Sequence, residues 1–249
     1  MLKLYELAGA DPACRFSPAC WRTRMALAHK GVAVEAIPWR FTEKAAIAPS
    51  GGGTVPVLVV GERWIADSWA IARWLDEEYP NAPSLFGGGA GRAVARFHNH
   101  WADMVQIPGL FGLIVRDVFE NLAAEDRDYF RATREARIGM SLEAFVADRD
   151  GRLPAFRASL GPMRRTLAEY AWLGGDTPNY ADYAIFGGFQ WARCVSNYAV
   201  LAEDDPVRDW RERMLDLFDG LARHGSLNCD GQGSETGAPE STICRQEPA

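Results

Sequence analysis

The chain has 249 residues, of which 48% are hydrophobic and 24% charged, and this is the composition of a globular protein long enough for two domains. Its net charge of −6 argues against a nucleic-acid partner, because binding to phosphates requires clustered lysine and arginine. No apolar stretch approaches the roughly 18 residues of a membrane span, and the first residues lack a signal-type apolar core. We therefore expect a cytoplasmic protein without a membrane partner.

A strand, a loop and a helix are predicted at the start of the chain. Residues 3–7 alternate as a strand does, and residues 21–30 combine helix-forming side chains with an apolar repeat. Residues 32–37 predict a second strand, so a right-handed βαβ unit is the simplest connection. Ser17 and Pro18 then lie where the helix begins, and the unpaired N–H groups and positive dipole end there favour an anion.

Residues 16–22 have the form of a Cys-x-x-Cys redox turn in which Ser17 replaces the leading cysteine. Serine cannot form a disulfide, but its hydroxyl can donate a hydrogen bond to a thiolate on a bound molecule. Cys20 occupies the second thiol position, where a buried, small apolar side chain is the simplest interpretation. No metal site is predicted, because the five cysteines lack metal spacing and the rings of His98 and His100 diverge on a helix.

A hairpin and a further helix are predicted next. The bond between Val55 and Pro56 leads into the first strand of the hairpin, where the proline removes one ladder donor. Asp67 and Ser68 follow the second strand and precede an amphipathic helix over residues 69–79. Either side chain can cap that helix, a contribution of about 1 kcal/mol.

Proline and glycine clusters between residues 80 and 89 mark a domain boundary. We predict an N-terminal domain over residues 1–80, a linker over 81–90, an all-α domain over 91–223 and a disordered tail over 224–249. The helices predicted in the all-α domain cover residues 94–104, 110–122, 128–147, 154–170, 180–195 and 206–221.

The ordered motifs of the N-terminal domain resemble those of the thioredoxin-like domain of soluble glutathione S-transferases: Ser17-Pro18, Val55-Pro56 and Asp67-Ser68. Residues 176–186 are similar to that family's helix-start signature in its all-helical C-terminal domain. Asn179 stands where Ser or Thr is usual, and Asp182 follows three positions later; asparagine caps a helix equally well. The resemblance covers about residues 1–223 and implies the fold class, an α/β thioredoxin-like βαβ-ββα domain followed by an all-α domain.

The resemblance implies that Ser17 orients and stabilises the thiolate of glutathione, the cosubstrate. A thiol of this type titrates near ~8.5, and lowering its pKa by about two units requires roughly 2.7 kcal/mol. One hydrogen bond to the charged sulfur supplies about 1.5–3 kcal/mol and the helix start about 0.3–1 kcal/mol, so no protein nucleophile is needed. In the family the proline at position 56 is cis, and the backbone of Val55 pairs with the cysteinyl main chain of glutathione.

The other implied contacts are made to the two ends of glutathione. Asp67 and Ser68 would hold the γ-glutamyl amino and carboxylate groups, with the Ser68 N–H at a helix start receiving the anion. Lys44 or Arg40 would neutralise the glycyl carboxylate. The acceptor pocket is expected to be apolar and to lie between the domains. Its candidate residues are Phe16, Trp39, Trp101, Met104, Pro108 and Phe111.

These roles predict a glutathione S-transferase whose bound thiolate attacks a hydrophobic electrophile. Four segments are most similar to bacterial β-aryl-etherase-type members: residues 16–31, 39–44, 67–72 and 189–193. They add the hypothesis that the thiolate attacks a carbon next to a ketone and displaces an aryloxide. Two alternatives stay open: a glutathione-dependent reductase or peroxidase that uses Cys20 or Cys14, and a noncatalytic glutathione-binding or carrier protein. Family members are usually homodimers, so a homodimer is expected.

Overall fold

The computed structural model describes residues 1–225, and its sheet lies in the first part of the chain. Strands β1 (Lys3–Leu7), β2 (Glu35–Trp39), β3 (Val57–Val60) and β4 (Arg63–Ala66) form one sheet in the order β2-β1-β3-β4. β1 is parallel to β2 and antiparallel to β3, which is antiparallel to β4. The predicted βαβ unit and hairpin are thus confirmed. Most of the predicted disordered tail, from residue 226 on, lies outside the described residues.

The second strand begins at Glu35, later than the pattern predicts. Gly31 has φ +65° and its N–H donates to the Ala28 carbonyl at 3.0 Å, while the Val32 N–H donates to the Leu27 carbonyl at 3.0 Å. Bonds of this kind close the C-terminal turn of a helix. The apolar pattern alone did not reveal this, because it does not show where the backbone hydrogen bonds go.

Helix α1 (Pro18–His29), a 3₁₀ helix (Lys44–Ser50) and α2 (Ser68–Glu78) accompany the sheet. α1 begins at Pro18, the start that the sequence predicts, because the Ser17 Oγ caps it by accepting a hydrogen bond from the Cys20 N–H at 3.3 Å. Proline is tolerated at the first helical position, where its missing N–H would have no partner. Ser17 is therefore fixed at the helix start.

From residue 89 on, the described chain is helical, as the sequence predicts. The elements are α3 (Gly89–Trp101), a π-helical turn (Ala102–Gln106), α4 (Ile107–Glu120), α5 (Ala124–Ile138), α6 (Leu142–Val146), α7 (Arg149–Ser159), α8 (Gly161–Glu169), α9 (Tyr180–Val195) and α10 (Pro206–Gly220). The bounds of α9 are those predicted, because Asn179 and Asp182 form a capping box at its start. The predicted fold class is therefore confirmed.

Two predicted long helices are each split in the structure. The helix predicted over residues 128–147 is broken at Gly139, whose φ of +75° turns the chain between α5 and α6. The helix predicted over residues 154–170 begins earlier, at Arg149, and is broken before α8, whose first turn contains Pro162. Apolar residues continue at helical spacing across both breaks, so periodicity alone predicts single helices.

The first turn of α1 packs directly on α9. A Cβ atom on Gly187 would lie 2.3 Å from the Pro18 carbonyl oxygen and 3.1 Å from Cγ of Arg22, so glycine is required at this close approach. The buried Arg22 donates from Nε to the Ala184 carbonyl at 3.0 Å. The helical domain therefore fixes the position of the helix that Ser17 begins.

Candidate active site

Ser17 lies at the border of a cavity of about 210 Å³ between the sheet domain and the helical domain. Only 7% of Ser17 is exposed, and its Oγ already accepts a hydrogen bond from the backbone of α1. Its O–H is within hydrogen-bonding reach of the Cys20 sulfur and can donate to a bound ligand in its place. Because the N-terminus of a helix carries a partial positive charge, an anion next to this hydroxyl would be stabilised twice.

The walls of the cavity are mainly aromatic. The sheet domain supplies Phe16, Trp39 and Phe41, and the helical domain supplies Phe111, Phe130 and Trp191. Such walls suit a flat apolar molecule, because aromatic rings offer large surfaces for stacking and edge contacts.

Three of the six predicted acceptor-pocket residues line this cavity: Phe16, Trp39 and Phe111. Met104 is 76% exposed, Pro108 lines a separate groove that also includes Phe156, and Trp101 is half-buried at the end of α3. Met104 lies in, and Pro108 shortly after, the π-helical turn that follows Trp101. Its i→i+5 bonds change which side of the helix each residue occupies, and a pattern of 3.6 residues per turn does not anticipate that change.

Val55 lines the same cavity through the loop that leads into β3. The Val55–Pro56 peptide bond is cis, as the family resemblance implies. Among residues 1–225, neither the N–H nor the C=O of Val55 has a hydrogen-bond partner. An extended ligand can pair with such a free backbone edge as an added strand does.

Asp67 has φ +80° and ψ 132°, a conformation that residues other than glycine rarely adopt. Such a backbone costs about 1–3 kcal/mol and occurs preferentially at functional sites. Asp67 Oδ1 accepts hydrogen bonds from the N–H groups of Trp69 and Ala70 at 3.0 Å each, and the Asp67 N–H donates to the Pro56 carbonyl at 3.2 Å. The start of α2 is thus tied to the loop that contains Val55.

Ser68 is the first residue of α2 and is 2% exposed. Its hydroxyl contacts the phenol of Tyr180, whose pKa is raised to about 12 by burial. The Ser68 N–H has no partner within the part of the chain that the structure describes. The backbone group of Ser68 is therefore more available to a ligand than its hydroxyl.

The two basic candidates, Lys44 and Arg40, differ in their surroundings. Lys44 Nζ donates to the Gly53 carbonyl at 2.6 Å and lies 4.9 Å from the centre of the Trp39 ring, next to the cavity wall. Arg40 forms an ion pair with Glu125. An ammonium has three N–H donors, so Lys44 retains two for a ligand.

Cys20 is a free thiol that is fully buried behind Ser17. Burial, reinforced by the negative charge of Glu6, raises its pKa to about 12, despite a hydrogen bond with Ser17. Cys14 is fully buried as well. Because the thiolate is the reactive form, the surroundings of Cys20 oppose redox chemistry.

A larger cleft of about 640 Å³ lies between α4, α7 and the end of α9. Its polar groups already bind one another, since Ser196 donates to Asp117 and Tyr198 donates to Asp150. Charged and apolar side chains both line this cleft, and no residue of the N-terminal domain does, so we do not place the acceptor there.

The part of the chain that the structure describes offers neither a metal site nor a membrane-spanning helix. Residues 1–225 contain no group of three or more His, Cys, Asp or Glu side chains arranged to hold a metal ion. No helix in that range has both the length and the apolar character of a membrane span.

Relatives of known sequence match parts of the chain. Glutathione S-transferase Z1 of Arabidopsis thaliana is 42% identical over 76 residues, which are 28% of this chain and 34% of the relative. A zeta-class glutathione S-transferase of Euphorbia esula is 38% identical over 90 residues, which are 34% of this chain and 36% of the relative. The matched part of the chain thus spans only about a third of the length of these curated relatives.

Solved structures match nearly the whole fold. A glutathione S-transferase of Ceriporiopsis subvermispora in complex with glutathione has a TM-score of 0.74 at 24% identity, with 88% of this chain and 96% of that chain covered. A glutathione transferase of Phanerochaete chrysosporium has a TM-score of 0.70 at 27% identity, with 88% and 92% covered.

Two family models match the chain in consecutive segments. The model of the glutathione S-transferase N-terminal domain matches residues 16–78, and the model of the C-terminal domain matches residues 93–216. Both domains are thus found in the order that the fold requires. The chain belongs to the glutathione S-transferase superfamily.

Proposed function

We propose that this chain is a glutathione transferase whose Ser17 hydroxyl stabilises the thiolate of bound glutathione. The observation that carries the proposal is the position of Ser17, which caps the start of α1 and borders an aromatic cavity between the domains. A hydrogen bond to a charged sulfur contributes about 1.5–3 kcal/mol and the helix dipole about 0.3–1 kcal/mol. Together they lower the thiol pKa by about two units, which leaves most of the thiol ionised at neutral pH.

The tripeptide would extend from Val55 to the start of α2. Its cysteinyl main chain would pair with the free N–H and C=O of Val55. The second carboxylate oxygen of Asp67, which takes no part in capping, would accept from the γ-glutamyl ammonium, and the Ser68 N–H would donate to the neighbouring carboxylate. Lys44 would neutralise the glycyl carboxylate, because Arg40 is already paired with an acid.

The reaction would be attack of the thiolate on an electrophilic carbon of a hydrophobic acceptor. In the β-aryl ether version, the sulfur forms a bond to the carbon next to a ketone, the carbon–oxygen bond breaks, and the electron pair leaves with the aryloxide. The aromatic walls of the cavity support an acceptor with aryl groups. Support for the ether itself comes from the four segments that resemble β-aryl-etherase-type members.

The proposal is tested by supplying the protein with glutathione and two acceptors, 1-chloro-2,4-dinitrobenzene and a β-aryl ether model ketone. We expect chloride release from the first and phenol release from the second. Chloride without phenol would remove the ether-cleaving version and leave the transferase. Retention on immobilised glutathione without either product would favour the noncatalytic carrier, and no retention would overturn the proposal.

The reductase alternative depends on Cys20 or Cys14, of which Cys20 lies in the turn that begins at Ser17. Because burial raises the pKa of this thiol to about 12, we expect Cys20→Ala to change kcat/KM by less than about twofold. We also expect iodoacetamide at pH 8 to modify Cys20 at least about 100-fold more slowly in the folded protein than in guanidinium chloride, where the thiol titrates normally. A mixed disulfide between Cys20 and glutathione, detected by mass spectrometry during turnover, would instead establish the reductase.

A homodimer is proposed as well. Four apolar side chains that follow one another along α3 and the π-helical turn are exposed, and large exposed apolar patches mark interaction surfaces. They are Val94, Phe97, Met104 and Val105, with Phe97 66% exposed. Light scattering after size exclusion should give twice the mass of the chain, and a monomer mass at all concentrations would contradict the proposal. The cytoplasmic location stays a prediction.

A further inference from the structure

Two arginines of α5 line the otherwise apolar cavity. Arg134 and Arg137 are three positions apart, so they lie on the same side of the helix. The guanidinium carbon of Arg134 lies 4.5 Å from the centre of the Phe130 ring, and that of Arg137 lies 4.7 Å from the centre of the Phe111 ring. Both charges are thus held against aromatic residues of the cavity wall.

Neither arginine has an acidic partner. Among residues 1–225, no carboxylate oxygen lies within 4.0 Å of either guanidinium, whereas Arg131 on the same helix is paired with Glu135 and Glu143. Arg134 donates to the neighbouring Thr133 hydroxyl, at 2.9 Å, and forms a hydrogen bond with the Tyr129 side chain. Two positive charges therefore face the cavity without compensation.

The electrostatics of the pair favour an added anion. Burial, followed by repulsion from Arg137, lowers the pKa of Arg134, although a guanidinium stays protonated at any neutral pH. Stacking on aromatic rings explains how the side chains are held, but it does not require two like charges at one cavity. An anionic ligand group would relieve the repulsion and accept hydrogen bonds from both forks.

We propose that the acceptor substrate is an aromatic electrophile that carries a carboxylate, with its ring between the aromatic walls and its anionic group at Arg134 and Arg137. The inference builds on the proposed transferase function, because the same cavity would present the acceptor to the thiolate at Ser17. Planar guanidinium groups bind carboxylates in a bidentate manner, which gives both affinity and orientation.

Binding is measured without turnover, using two molecules of the same shape that differ in charge: 3,5-dinitrobenzoate and 3,5-dinitrobenzamide. By calorimetry, we expect the wild-type protein to bind the carboxylate at least about tenfold more tightly than the amide. The double variant Arg134→Met/Arg137→Gln should lose that preference and keep its affinity for the amide, which reports an intact cavity. Lysine at both positions should preserve part of the preference.

Arg127→Met is the matched control. Arg127 also lies on α5, and its guanidinium carbon is 5.7 Å from the centre of the Phe119 ring, but it does not line the cavity. It should retain the full preference. Equal affinities for the two molecules in the wild-type protein, no binding of either, or a preference that survives in the double variant would overturn the inference.

Turnover separates this inference from the proposed function. With 4-chloro-3,5-dinitrobenzoate, the thiolate sulfur of glutathione forms a bond to the ring carbon and the electron pair leaves with chloride. Rates with this acid and its amide are each divided by the uncatalysed rate. A binding preference for the carboxylate without turnover would support the anion site and contradict the proposed transferase function. Turnover with equal binding of the acid and the amide would support the transferase function and contradict the anion site.

Discussion

Replacing Ser17 with alanine is expected to lower kcat/KM for conjugation by about 10- to 150-fold, because a hydrogen bond to the charged sulfur contributes about 1.5–3 kcal/mol. The Oγ of Ser17 accepts from the Cys20 N–H, and its rotatable O–H can donate to the bound thiol. The affinity for glutathione should change less than the rate, because the contacts proposed for Val55 and Asp67 do not involve Ser17.

The pH dependence of the same variant gives the sharper measurement. A donor to the thiolate lowers the thiol pKa, so the wild-type rate should rise with pH through a value about two units below that of free glutathione, which is near ~8.5. In Ser17→Ala, the pH at which the rate rises should move towards the pKa of the thiol in free glutathione. Direct titration of thiolate absorbance in the binary complex should show the same shift.

Two control variants separate ionisation from folding. Ser17→Ala also removes the cap of α1, worth about 1 kcal/mol, so its melting temperature is compared with that of Ser17→Thr, which keeps both the cap and the hydroxyl. Cys20→Ala, in the same helical turn, should retain the wild-type pH profile. An unchanged profile in Ser17→Ala would mean that another group ionises the thiol.

Elements set by neighbouring residues were predictable from the sequence. The βαβ unit follows from two short alternating runs around one helix, and the bounds of α9 follow from the capping box at Asn179 and Asp182. Ser17 was found for the same reason, because a serine followed by proline at a helix start is a local pattern.

Features set by packing between distant segments were not predictable. Arg134 and Arg137 occur in a charged helix that looks solvated, and only the fold brings them opposite Phe41 and the loop of Val55. Met104, a candidate for the acceptor pocket, lies in the π-helical turn, is 76% exposed and does not line the cavity of Ser17. The signal available in the sequence was that neither arginine has an acid three or four positions away, where ion pairs along a helix form.

Replacing Asp182 with alanine is expected to lower the free energy of unfolding by about 4 kcal/mol, because it removes the acceptor of several buried donors. Asp182 is fully buried and accepts hydrogen bonds from the N–H groups of Leu173, Gly174 and Asn179 at 2.8, 3.0 and 3.2 Å. It also accepts from the indole N–H of the buried Trp210 at 2.9 Å. One carboxylate thus joins the start of α9 to α10 and to the loop before α9.

Urea unfolding monitored by circular dichroism measures this effect. Ser141→Ala is the control, because Ser141 caps the short helix α6 on the protein surface through one hydrogen bond at 3.2 Å. Loss of this cap should lower the free energy of unfolding by only about 1 kcal/mol. Asp182→Asn keeps one acceptor oxygen, so its loss in free energy of unfolding should lie between those of Asp182→Ala and Ser141→Ala. Because α9 packs on the first turn of α1 at Gly187, loss of the Asp182 network should also reduce transferase activity below the unfolding midpoint. A cost for Asp182→Ala no larger than that for Ser141→Ala would show that water replaces the lost acceptor, and that the network does not hold α9 in place.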